Sequence, residues 1–287
     1  MFYPLVFAAA ASILSVYASP TSLEKRSGAV ATNVYNDLVF YFKYASSAYG
    51  TVGCTRPNGN TLVSQISGLA TDTQGFIARD DTRKEIVVAL RGSSSITDFI
   101  TDATIALTSY SSPGASAPAG TLVHTGFQTA WNSVASSVIS SIKSQLAAHP
   151  DYSIVTSGHS LGGALSSLAA ASLKANFPNN AVRMYTYGQP RTGNPTYAKW
   201  INSQFGENAF RGVHTTDGVP TIIPTYYGYQ HHGVEYWDVI DPSNALTTRK
   251  CSASGEDLTC SASIISSGIN AAHLTYYNVL ASTTFCI

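Results

Sequence analysis

From residue 152 to 213 the chain alternates short β-rich runs with helix-forming ones, and the junction at Gly158-His159-Ser160-Leu161-Gly162 restricts the fold more than any other feature. Tyr152 to Thr156 reads as a strand and Gly162 to Ala175 as a helix of small residues. Val182 to Tyr187 and Phe210 to Val213 read as further strands, with a helix near Tyr197 to Phe205 between them. Strand, helix, strand, helix, strand in close succession requires crossover connections, and hence a mostly parallel central sheet with flanking helices, an α/β fold. The pentapeptide matches G-x-S-x-G between a strand and a helix, the tight turn that lifts a serine oxygen above a sheet edge. Glycines two residues either side of the serine are expected because that turn leaves no room for a Cβ against its neighbours.

Upstream, apolar residues recur at helical spacing through Val34, Leu38, Tyr41, Phe42, Ala45 and Ala48, which predicts a helix from Asn33 to Tyr49. Leu62 to Ile66, Gly75 to Ala78 and Glu85 to Leu90 are β-rich segments bounded by Gly, Asn and Asp. The stretch Ser109 to Gly120, all Ser, Gly, Ala and Pro apart from one tyrosine, reads as a mobile surface loop. Phe127, Trp131, Val134, Val138, Ile142 and Leu146 then predict one long amphipathic helix ending at Pro150.

Leu5 to Tyr17 is an apolar run too short to span a bilayer, and it ends in Val16-Tyr17-Ala18, which suits signal peptidase. Residues 1–18 are therefore expected to be a signal peptide, and residues 19–26 a propeptide ending at the dibasic Lys25-Arg26. The mature chain, 27–287, is the size of one large domain, secreted to the extracellular space. An oxidising compartment favours disulfides over thiols or metal ligands. Four cysteines allow three pairings, and the preferred one joins Cys251 to Cys260 in a short local loop and Cys54 to Cys286 across the chain.

Charged residues make up only 11% of the chain, against about 25% in an ordinary globular protein, and 16 basic side chains balance 16 acidic ones. Nucleic acid is a poor partner for such a surface, because phosphate binding needs a concentrated basic stripe.

A serine hydroxyl is a poor nucleophile unless a base removes its proton, so a histidine and an orienting carboxylate are required, in the chain order Ser, acid, His for this kind of sheet. Asp217 follows the predicted strand Phe210 to Val213 in a loop with Gly218 and Pro220, and is the best acid. Among His214, His231, His232 and His273, the adjacent pair at 231 and 232 reads as a partly exposed loop and His214 lies too near Asp217 in sequence. His273 remains, placed before an expected aromatic helix from Leu274 to Leu280. An oxyanion also needs donors. The Leu161 amide supplies one, and Ser93, in Arg91-Gly92-Ser93 at the end of the strand Glu85 to Leu90, the other.

With these residues placed, the chain from about Asn33 to Ile287 resembles the fungal class 3 lipase family, which includes filamentous-fungal triacylglycerol lipases and type A feruloyl esterases. The resemblance rests on Arg91-Gly92-Ser93-Ser94, Val123-His124-Thr125-Gly126-Phe127, Gly158 to Gly163, Tyr187-Gly188-Gln189-Pro190-Arg191, Thr216-Asp217-Gly218-Val219-Pro220 and Ala272-His273-Leu274-Thr275-Tyr276-Tyr277. It implies an α/β-hydrolase fold with Ser160 as nucleophile, Asp217 as acid, His273 as base and Ser93 with Leu161 as oxyanion hole. Gly233-Val234-Glu235-Tyr236-Trp237 and the cysteine pattern are similar to the feruloyl esterase branch. The segment Ser95 to Ala103 instead resembles a lipase lid, with Ile96, Phe99 and Ile100 on one helical face and Asp98-Phe99 where Asn and Trp are usual. The reading is a monomeric ester hydrolase, without metal or cofactor, acting on acylglycerols or other lipophilic esters at a lipid-water interface. Its alternatives are a feruloyl esterase and a non-catalytic binding protein that keeps the fold.

Overall fold

The computed structural model describes residues 28–50, 54–93 and 105–286. The expected signal peptide and propeptide lie outside the described residues, and so do the expected lid residues Ile96, Phe99 and Ile100.

Among the described residues the frame is an eight-stranded sheet. Strands β1 (Thr61–Gly68), β2 (Thr73–Asp80) and β3 (Glu85–Leu90) form an antiparallel meander. A small antiparallel pair, β4 (Leu107–Ser109) with β5 (Leu122–His124), stands apart from it. β3 then pairs in parallel with β6 (Ser153–His159), β6 with β7 (Val182–Tyr187), β7 with β8 (Ala209–His214), and β8 with β9 (Glu235–Asp238). β10 (Thr248–Lys250) closes the far edge antiparallel to β9. The order β1-β2-β3-β6-β7-β8-β9-β10 places β6, which leads into Ser160, in the interior of the sheet.

Helices cover both faces, which explains why the central strands read as nearly unbroken apolar runs. Ile86, Val88 and Leu90 point to one face and Val87 and Ala89 to the other, all fully buried. The first face packs on α2 (Thr125–Ala148) through Phe127, Trp131, Val134 and Val138, on α3 (Leu161–Asn176), and on α4 (Pro195–Phe205). The second packs on α1 (Thr32–Ser47) through Leu38, Tyr41, Phe42 and Ala45, with Tyr276 and Tyr277 from the end of the chain. No helix among the described residues is long and apolar enough to cross a membrane.

Two local expectations are corrected. Ser109 to Gly120 is tied down rather than loose: the Trp131 indole donates to Ser112 Oγ at 2.9 Å, Asn132 to Ser111 O at 2.8 Å and Asn176 to Pro113 O at 2.8 Å. Composition marked a loop correctly, but its partners on α2 and α3 are set by packing. Leu274 to Leu280 is a hairpin, not a helix: β11 (Thr275–Tyr276) pairs with β12 (Val279–Leu280) around Tyr277 and Asn278 at φ 51° and 63°. Positive φ at two successive turn residues matches the right-handed twist of a hairpin, and tyrosines favour strand over helix. The cysteines pair as 54 with 286 and 251 with 260.

Candidate active site

Ser160 sits at the elbow between β6 and α3 with φ 60° and ψ −128°, a conformation an L-residue adopts only when its surroundings force it. Its amide donates to Tyr187 O at 2.8 Å, which ties the turn to the neighbouring strand. A Cβ on Gly158 would stand 2.1 Å from the Gly162 carbonyl oxygen, and one on Gly162 2.1 Å from that of Leu90. Both glycines are thus required by close backbone approach, as the motif led us to expect.

The three residues chosen from the sequence are brought together. Ser160 Oγ lies 2.9 Å from His273 Nε2, and His273 Nδ1 lies 3.1 and 3.0 Å from the two oxygens of Asp217. All three are buried. Asp217 cannot donate when ionised, so His273 carries its proton on Nδ1 and leaves Nε2 to accept from the serine hydroxyl. Asp217 Oδ1 also accepts from the Val219 amide at 2.9 Å and Oδ2 from the Tyr276 hydroxyl. Gly188, at φ +56°, makes room for this arrangement, since a Cβ there would meet Tyr276 Oη at 2.3 Å and His273 Cε1 at 2.8 Å.

Ser93 reaches the wall of the same cavity, a hollow of about 200 Å³ lined by Ser160, His273, Tyr49, Ile269 and Leu274 among others. Leu161 opens α3, so its amide belongs to the first turn, where amides have no acceptor within the helix and the helix dipole favours negative charge. Ser93 and Leu161 thus both stand beside Ser160, one across the cavity and one next in the chain. Larger hollows exist on this surface, but this one joins a hydroxyl, an imidazole and a carboxylate in series.

Three residues that carry no role in the sequence reading complete the site. His159 donates from Nε2 to the His273 carbonyl at 2.9 Å and accepts at Nδ1 from the Tyr49 hydroxyl at 2.7 Å, so it fixes the backbone of His273. Burial pushes its imidazole well below the usual histidine range, the adjacent His273 adding to the effect, which keeps the one tautomer these two bonds require. Tyr276 is the third, through Asp217. His159 occupies the variable position of the motif and Tyr276 lies three residues after His273. Tyr49, 110 residues from His159, gave no sequence signal at all.

The other histidines are excluded by their partners, with one correction. His231 and His232 are fully enclosed, not partly exposed: His231 Nε2 donates to Pro220 O at 2.8 Å and His232 Nδ1 to Gly233 O at 2.8 Å. The chain from β8 to β9 folds back over Arg211 and Gln189, and that return path hides them. His214 binds Ala272 O at 2.8 Å and faces Asp241.

These buried imidazoles predict acid lability. Burial holds His124 and His232 down to about 4, and His159 and His231 well below their usual value. Below about pH 6.5 the unfolded chain takes up protons that the folded chain refuses, so their contribution is complete above that pH and is lost as pH falls towards 4. Each histidine adds at most about 1.4 kcal/mol per pH unit in that window. The guanidinium midpoint is expected to fall between pH 7 and pH 5, and a flat profile would refute the assignment.

A serine at a strand-to-helix elbow on a mostly parallel sheet, with helices on both faces, defines an α/β-hydrolase. Residues 87–227 match the family model described as Lipase (class 3). The chain is 32% identical to a secreted mono- and diacylglycerol lipase of Fusarium solani, over an alignment covering 97% of this chain and 86% of that protein. A triacylglycerol lipase from Penicillium expansum superposes with a TM-score of 0.81 at 30% identity, covering 90% of this chain and 98% of that one. A triacylglycerol lipase whose catalytic centre is formed by a serine protease triad superposes with a TM-score of 0.77 at 30% identity, covering 90% and 99%. The chain belongs to the class 3 lipase family and is a secreted serine carboxylic ester hydrolase.

Proposed function

We propose that the protein hydrolyses acylglycerols through an acyl-enzyme on Ser160. The observation that carries this reading is the hydrogen-bonded series Ser160, His273, Asp217 at the floor of a cavity with an apolar rim. His273 Nε2 takes the hydroxyl proton as Ser160 Oγ attacks the ester carbonyl, while Asp217 holds the Nδ1 proton and stabilises the imidazolium. The negative oxygen of the tetrahedral intermediate faces Leu161 N–H and Ser93. Collapse expels the alcohol, which takes the proton from His273, and water activated by the same imidazole releases the acid.

The rim supports a lipid substrate. Ile269 and Leu274 line the cavity and are 41% and 50% exposed. Water-facing aliphatic groups gathered around a mouth favour contact with an apolar surface. The names of the relatives, mono-, di- and triacylglycerol lipases, point the same way.

The test compares emulsified tributyrin with methyl ferulate and with a dissolved p-nitrophenyl ester. Tributyrin turnover is expected to rise more steeply above its solubility limit than below it. Leu274→Ser is expected to reduce that rise more than it reduces hydrolysis of the dissolved ester. Smooth saturation through the limit, together with faster turnover of methyl ferulate, would favour the feruloyl esterase reading instead.

A further inference from the structure

The ends of β8 and β9 bring together a second group of titratable side chains, away from Ser160. His214 and Asp238 are register partners on these parallel strands, and Asp241 follows three residues later. One ligand atom from each lies within 4.8 Å of the others.

The proton inventory of this group is incomplete. His214 Nδ1 lies 2.8 Å from the Ala272 carbonyl, which only accepts, so Nδ1 carries a hydrogen. The other nitrogen, Nε2, then presents its lone pair 3.0 Å from Asp241 Oδ1, also an acceptor. Asp238 is 0% exposed, and neither of its oxygens has a hydrogen bond of ordinary geometry; the Ser243 hydroxyl beside it likewise has none. A proton on His214 would relieve the contact with Asp241 and lend charge to Asp238, but it sets one positive charge against two carboxylates. A dication relieves both.

We propose that His214 Nε2, Asp238 and Asp241 bind one divalent transition-metal ion, with zinc the representative case. Two carboxylates and a neutral imidazole balance a dication in charge. The nitrogen ligand favours zinc, copper, iron or nickel over calcium or magnesium, which prefer oxygen alone. A histidine whose remaining N–H donates to a backbone carbonyl has the orientation usual for a metal ligand. A hollow of about 750 Å³ lined by His214, Thr216, Asp241 and Asn278 provides entry and room for water ligands. The ion would have no part in ester cleavage. It would fix His214, and through it the Ala272 carbonyl one residue before His273.

The test uses the mature enzyme freed of metal with a chelator and titrated calorimetrically with zinc chloride, with thermal unfolding followed in parallel. One saturable site per chain is expected, together with a rise in Tm on adding zinc. Asp241→Asn and His214→Gln should each weaken binding by on the order of 100-fold and remove the rise in Tm. Asp241 is exposed at the surface, so Asp241→Asn decides the matter even if His214→Gln fails to fold. No saturable uptake by the wild-type enzyme, or undiminished uptake by Asp241→Asn, overturns the proposal.

Discussion

Ser160→Ala and His273→Ala are each expected to abolish turnover of a dissolved p-nitrophenyl ester, with losses near ~10⁶, while far-ultraviolet circular dichroism stays unchanged. Each removes one member of a unit that acts together, so the double variant should be scarcely worse than either single one. Asp217→Asn should cost less, on the order of 10⁴, because the imidazole survives with its proton on the wrong nitrogen. The structure adds a reason for the size of that loss. Asp217 accepts simultaneously from His273, the Val219 amide and the Tyr276 hydroxyl, and an asparagine amide nitrogen would oppose at least one of these donors. Near-normal rates in His273→Ala alongside a dead His214→Ala or His232→Ala would show that the base has been misassigned.

Removing the long-range disulfide should cost more stability than removing the local one. Cys54 and Cys286 close a loop across 232 residues, whereas Cys251 and Cys260 are 9 apart. In the chain-entropy model the two are worth about 5.5 and about 2.7 kcal/mol, upper values because native strain subtracts. The long bridge also secures the segment that closes over α1, where Ser46 Oγ donates to Thr283 O at 2.7 Å and the Phe285 amide to Ser47 Oγ at 2.9 Å. For a chain of this size, at about 2 to 4 °C per kcal/mol, Cys54→Ser with Cys286→Ser should lower the Tm by roughly 10 to 20 °C. A free thiol in mass mapping of unreduced peptides, or a larger loss from Cys251→Ser with Cys260→Ser, would contradict this.

Much of the frame was legible because its signals are local. Strands β3 and β7 fall where alternation and apolar runs put them, Glu85–Leu90 and Val182–Tyr187, and the helices shift by only a residue or two at their ends. The elbow was legible for the same reason, since steric exclusion at Gly158 and Gly162 is decided within a few residues of Ser160. Chain order and loop position then selected Asp217 and His273, which the fold brings into hydrogen-bonded series with Ser160.

Other features depended on contacts the chain makes only when folded. The hairpin at Tyr276 and Tyr277 was misread as a helix, because aromatic content alone does not reveal that both rings must enter the core beside α1. His231 and His232 were read as partly exposed, because nothing near them in sequence foretells the return of the chain over Arg211. The bond from Tyr49 to His159 spans 110 residues and that from His159 to the His273 carbonyl spans 114. Periodicity and steric exclusion act over a few residues, so the sequence alone determined most of the elements, the elbow and the residue types of the site. Hydrogen-bond partners are chosen by proximity in space, so only the tertiary structure decided which distant side chains hold Asp217 and His273 in place.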